Sequence, residues 1–279
     1  MPSYDTPQPI TAILEFDLGH VRIIASERTD TVVEVLPSNG ADDNDIKTVQ
    51  QTKVTYANGT LTLKGPKKRS VFGKVGSIDV TVELPAGSHL QANSPMGDYV
   101  STGPLGECRV KTSVGDIRLD LTGVANLRTG LGDIRVGRMA GSAEIHGSGR
   151  IDIGAIEGAA TVKNGTGETA IGTITGDLKV NTSMGPVTVG VAEASVDVRS
   201  SHGSIQVKEV TRGRVELQTS IGGVEIGIRE STAAWLDVSS RVGTVRNFLG
   251  AAEGPGSADD TVEIHARTQA GDIVIRRAA

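Results

Sequence analysis

Aromatic side chains are scarce in this sequence, at 3% of 279 residues. A large globular enzyme core leans on Phe, Tyr and Trp, because those side chains bury the most apolar area. Their scarcity points instead to a thin core of Val, Ile, Leu and Ala. Cysteine is nearly absent as well: Cys108 stands alone. That excludes an intrachain disulfide and fits a reducing compartment. No run of about 18 apolar residues occurs, so no transmembrane segment is expected. The opening residues Met1-Pro2-Ser3-Tyr4-Asp5 lack the charged and apolar regions of a secretory signal, and the expected location is cytoplasmic. Excess positive charge is missing too. The net charge is −5 and the pI about 5.6, which argues against nucleic acid as a partner.

Glycine is what the chain has in quantity, 36 residues, and it recurs at a period. The pattern from Gly97 onward is apolar-x-apolar-x-(Thr/Ser)-x-x-Gly-x-apolar-x-apolar. Its marker glycines are Gly97, Gly115, Gly132, Gly149, Gly167, Gly185, Gly203, Gly222, Gly243 and Gly271. Most successive spacings are 17 to 19 residues, and the last two widen to 21 and 28. Internal repetition at such a period signals a stacked architecture. An early copy, Phe16-Asp17-Leu18-Gly19-His20-Val21-Arg22-Ile23, is expected to start the stack.

Each repeat holds two runs that alternate apolar and polar. Ile117-Arg118-Leu119 and Ile134-Arg135-Val136 follow their glycines, while Val110-Lys111-Thr112 and Leu127-Arg128-Thr129 precede theirs. A period of two means strands with one buried face, and the β-branched residues at the apolar positions suit a pleated surface. No helical periodicity of useful length is evident. The expected fold is all-β: a parallel β-solenoid of about ten two-strand coils with an antiparallel N-terminal capping segment. Residues 1–30 hold the first coil, 31–90 an antiparallel insertion that caps one end, and 91–279 the solenoid repeats, in a single domain overall. Asn58-Gly59 marks a tight hairpin within the insertion. Loops are expected at 67–70 and, before the final coil, at 249–260. The marker glycines are expected at corners with positive φ or close backbone approach.

The Gly-Asp-apolar steps Gly97-Asp98-Tyr99, Gly115-Asp116-Ile117, Gly132-Asp133-Ile134 and Gly271-Asp272-Ile273 follow a stretch ending in Val82-Glu83-Leu84-Pro85-Ala86-Gly87. In this the chain resembles the bacterial putative-adhesin family of β-strand-repeat proteins. The middle coils depart from the motif, with Arg150, Glu168, Pro186 and Ser204 after the glycine. The resemblance implies a β-solenoid fold.

Three columns of polar residues run along the repeats. Asp98, Asp116 and Asp133 follow their glycines. Three carboxylates on adjacent coils suit a cation, and a close pair suits glycoside chemistry, but Asp also favours turns by bonding local backbone. Arg118 and Arg135 are expected on the same face, offsetting that charge. A second column, facing outward, carries Lys111, Arg128, His146 and Lys163. Stacked like charges repel, so this basic stripe is the candidate surface for an acidic partner. A third column of Thr112, Thr129, Thr182 and their equivalents points inward by parity and is expected to bond corner backbone.

Other motifs are weak. The five histidines show no metal-ligand spacing, and no metal or cofactor is expected. His202 falls in a column of Met96, Val114, Leu131, Met184 and Ile221, where partial burial is expected. Cys108 falls in an inward apolar column, as a core residue and not a nucleophile. There is no G-x-S-x-G elbow. The Gly165-Thr166-Gly167 stretch lacks the helix that a dinucleotide site needs. The sequence favours a non-enzymatic scaffold or binding module, using a flat sheet face or the solenoid ends, with an acidic partner or self-association as a homodimer. The alternative is an enzyme acting on a carbohydrate or small metabolite through Asp116, Asp133, Arg118 and Arg135.

Overall fold

The computed structural model describes residues 2–66, 76–249 and 260–278. The expected loop at 67–70, and that at 249–260 apart from its two end residues, lie outside the described residues. The chain divides into two compact units, Met1–Arg138 and Met139–Ala279, and both are built of parallel β-solenoid coils.

The first unit contains β1 (Ser3–Asp5), β2 (Thr11–Glu15), β3 (Leu18–Ser26), β4 (Asp30–Pro37), helix α1 (Asp43–Gln51), β5 (Lys53–Ala57), β6 (Thr60–Lys64), β7 (Ile78–Pro85), β8 (His89–Thr102), β9 (Cys108–Val114), β10 (Ile117–Thr122) and β11 (Ala125–Leu131), and most of β12 (Ile134–Met139). Strands pair with their equivalents one repeat away. β11 lies parallel to β9 with Leu127 beside Val110 and Arg128 beside Lys111. Burial follows the alternation: Ala125, Leu127 and Thr129 of β11 point inward and the residues between them outward. Leu127 is fully buried, so Leu127→Ala would cost about 2–5 kcal/mol.

The glycine spacing has a steric cause. At Gly132 φ is +143°, a region that side chains avoid. A Cβ there would lie 2.1 Å from the Gly115 carbonyl oxygen of the neighbouring coil. In the second unit Gly203 stands in the same relation to Gly185, at 2.0 Å. At these positions backbone packs directly on backbone, which leaves no room for a side chain.

The start of the stack differs from the sequence expectation. β2 lies between β6 and β8, parallel to both. β3 lies between β7 and β8, again parallel to both. The coil around Gly19 is therefore internal, and the β6–β7 coil sits outside it. Only part of segment 31–90 is antiparallel: β4 against β7, β5 against β6, and β1 against β4. The β5–β6 hairpin turns at Asn58 and Gly59, both with positive φ, as that dipeptide predicts. The segment also holds α1, which alternation alone did not reveal. Asp42 caps it by accepting from the Asn44 N–H, and the helix packs on β4 and β7. Asp45, buried, accepts from the backbone N–H groups of Asn39 and Ser77 and ties the helix to the chain on either side.

The second unit contains β13 (Ala143–Gly147), β14 (Ile151–Ile156), β15 (Ala160–Asn164), β16 (Thr169–Ile174), β17 (Leu178–Met184), β18 (Val187–Ala192), β19 (Val196–His202), β20 (Ile205–Val210), β21 (Gly213–Ile221), β22 (Val224–Ile228), β23 (Thr232–Val242), β24 (Val245–Asn247), β25 (Asp260–Ala270) and β26 (Ile273–Arg277). Sequence order and stacking order part company at its end. β25 lies between β21 and β23, and β26 between β22 and β24. The β25–β26 coil is inserted, and among the described residues the β23–β24 coil forms the edge. The widened glycine spacings of 21 and 28 mark this detour.

Candidate functional site

The aspartates after the marker glycines are committed to the backbone. Asp98 Oδ1 accepts the Asp116 N–H at 2.8 Å, and Asp116 Oδ1 accepts the Asp133 N–H at 2.8 Å. Asp272 does the same for Thr244 in the second unit. The other oxygens face arginine: Arg118 Nη2 lies 2.5 Å from Asp116 Oδ2, and Arg135 Nη2 lies 3.6 Å from Asp133 Oδ2. Asp98, Asp116 and Asp272 thus each hold the turn of a neighbouring coil. Among the described residues, no group of three or more His, Cys, Asp or Glu side chains is arranged to hold a metal ion.

The hydroxyl column points inward, as parity requires. Thr129, Thr219 and Thr268 are buried and donate to the carbonyls of Gly115, Gly203 and Gly222, at 2.8 to 3.0 Å. Asn164 takes the same place and donates to Gly149. These bonds satisfy corner carbonyls that the tight turn leaves without strand partners.

The basic residues lie outward and in register. In the first unit Lys111 stands between Asn93 and Arg128 on adjacent strands. Arg128 Nε donates to Asn126 Oδ1 at 3.2 Å. These side chains, with Arg109, Gln91 and Glu15, line a depression of about 330 Å³. In the second unit Lys163 stands between His146 and Asn181, and Asn181 beside Arg199. His146 Nε2 lies 3.2 Å from Glu144 Oε1. A depression of about 550 Å³ is lined there by His146, Lys163, Asn181 and Arg199 with Ser148, Ser183 and Ser201.

One column is opposite to its expected burial. The residues just before the marker glycines are exposed: Met96, Val114 at 43% and Leu131 at 64% in the first unit, Met184 and Ile221 in the second. His202, expected partly buried, is exposed with them. The chain turns the corner at the glycine, so the preceding side chain leaves the sheet alternation and points to solvent. The result is an apolar ridge: Leu131 beside Val114 and Val114 beside Met96. The repeated apolar residue before glycine was the signal for it.

Two titratable sites stand out. Burial pushes the Cys108 thiol up to about 11, so it is a core residue and not a nucleophile. His265 on β25 was one of five scattered histidines in the sequence, yet it centres a charged cluster. Its Nε2 lies 2.7 Å from Glu263 and its Nδ1 3.1 Å from Asp237 of β23, which also accepts from Arg267 at 3.1 Å. The hydrogen bond to Glu263, then that to Asp237, raises the imidazole above its ordinary value. Hydrogen bonds from His265 hold both carboxylates below theirs.

The repeat geometry defines the class, a parallel β-solenoid, and a match in sequence gives the family. The Toastrack DUF4097 family model matches residues 14–276, and the chain belongs to that family. Among solved structures it is similar to a putative adhesin from Bacteroides fragilis, at 15% identity over 99% of this chain and 95% of that one, with a TM-score of 0.40. A putative adhesin from Parabacteroides merdae gives 13% identity, 98% and 94% coverage and a TM-score of 0.41. A putative cell adhesion protein from Clostridium sporogenes gives 11%, 99% and 98%, and 0.23. No curated protein matches the chain in sequence. Among the described residues, no helix is long and apolar enough to cross a membrane.

Proposed function

We propose that this chain is a non-enzymatic binding module. Its working surfaces are the outward sheet faces bearing Lys111 and Arg128 in the first unit and His146 and Lys163 in the second, and its partner is an extended acidic molecule. The observation that carries the reading is the pairing of Lys111 with Arg128 on adjacent strands, next to the exposed ridge of Val114 and Leu131. Cations in register recur at the strand spacing of about 4.8 Å, which suits a chain of regularly spaced anions. The apolar ridge beside them adds contact area of the kind that marks interaction surfaces. Asp116 and Asp133 pair with Arg118 and Arg135, and Asp116 also holds the corner N–H of Asp133, so these four residues take no chemical role. The single, buried Cys108 fits a cytoplasmic setting.

Retention on an immobilised acidic polysaccharide, eluted with salt, tests the reading. The wild-type protein is expected to bind at low ionic strength and to release as salt screens the contact. The variant K111E/R128E is expected to lose most retention, and Lys163→Glu part of it. Lys111→Glu alone replaces a like-charge neighbour by an opposite one. It is therefore expected to stabilise the fold by about 0.2–1 kcal/mol, a rise of up to about 3 °C in Tm. Weaker binding with a firmer fold separates a binding role from a structural one. Unchanged retention in the double variant would overturn the proposal.

A further inference from the structure

We infer that the β23 edge is a docking surface for a second copy of this chain, paired antiparallel about a twofold axis centred on Ser239. This rests on other residues than the basic face and stands or falls separately from it.

The starting point is an unfinished core. Ala234, Leu236 and Val238 of β23 pair with Val262, Ile264 and Ala266 of β25. Those three partners are at most 1% exposed. Ala234, Leu236 and Val238 are only half-buried, because nothing described lies beyond them. Trp235, Val242 and Phe248 of the same coil are exposed, Trp235 to 75%. Among the described residues, no strand pairs with the far side of β23. It runs for 11 residues without proline, lysine or bulge, the devices that usually blunt an edge. The first unit treats its own outer coil differently: there the antiparallel strands β1, β4 and β5 and helix α1 lie outside the parallel coils.

Charge selects the partner and the register. A twofold axis through the sheet would continue both the ladder and the core, and it makes the interface self-complementary. Inward side chains stay matched only when the axis passes through a residue. Centred on Asp237, that carboxylate would face its own copy. Centred on Val238, Asp237 would face Ser239 and leave the charges unmatched. Centred on Ser239, Asp237 faces Arg241 of the second copy, and this happens twice. In that register Leu236 faces Val242, Val238 faces Ser240, and Trp235 lies across from Gly243, where an aromatic ring covers a bare backbone.

Light scattering after gel filtration, over a wide concentration range, tests this. The wild-type chain is expected to be a dimer at the upper end of the range. Arg241→Asp and Asp237→Arg, each alone, set like charges against each other twice and are expected to be monomers. Their thermal melts report that they are folded. An equimolar mixture of the two variants restores both opposite-charge pairs and is expected to form a heterodimer. A monomeric wild type, a single variant that still dimerises, or a mixture that stays monomeric would each overturn the inference.

Discussion

At the scale of single residues, side chains in this protein serve the turns. Asp116 illustrates the point: one oxygen takes the Asp133 N–H and the other faces Arg118. Asp116→Ala leaves that N–H to solvent and is expected to cost about 1 kcal/mol in urea denaturation. Asp116→Asn keeps an acceptor and is expected to retain most of the stability. Equal losses in the two variants would mean that the charge, and not the hydrogen bond, is what the site uses. The role of Asp after glycine was legible in the sequence, because turn preference and repeat position agree. The exposure of Met96, Val114 and Leu131 was not. Alternation predicts burial only while the chain stays in the sheet, and these residues stand where it leaves.

At the scale of elements, the β23–β25 ladder is held from outside by the His265 cluster. The raised imidazole supplies stability in full below its ordinary value of about 6.5, and that stability is lost as pH rises through the raised value. Asp237 and Glu263 are held low, so their contribution is present above their ordinary range and lost as pH falls through the depressed values. The cluster is therefore strongest between about pH 4.5 and 6.5. The urea midpoint is expected to be lower at about pH 8.5 than at about pH 6, and His265→Gln is expected to reduce that difference. The effect is small, since the carboxylates and Arg267 are more than half exposed and screened by solvent. A difference that persists unchanged in His265→Gln would assign it elsewhere. Sequence missed this cluster because its members come from strands 28 residues apart that the repeat count does not make neighbours. It missed α1 for a related reason. The helix turns only a narrow face inward and is anchored by the polar Asp45, so it carries no strong apolar periodicity.

At the scale of the whole molecule, the repeat predicts which residues are equivalent but not which coils touch. Equivalence follows from the glycine column, where one backbone is packed on the next. Neighbourhood at the two ends follows from connections that the period does not encode. Ending the chain before residue 260 removes β25 and β26, and with them the ladder partners of β23 and β24. Limited proteolysis of that truncated chain is expected to digest residues 229–249 as well, so that two coils are lost, not one. Protection of β23 in the truncated chain would show that it can seat directly on β21.

The insertion of β25 and β26 also sets an order of events at the ribosome. Residues 232–247 leave the exit tunnel while the strands they will lie against are still inside it. Until residue 277 has emerged, β21 and β22 present a free edge that either coil could cover. The β25–β26 coil then has to enter between two others, so this stack of strands is closed from within by residues made after both of its neighbours.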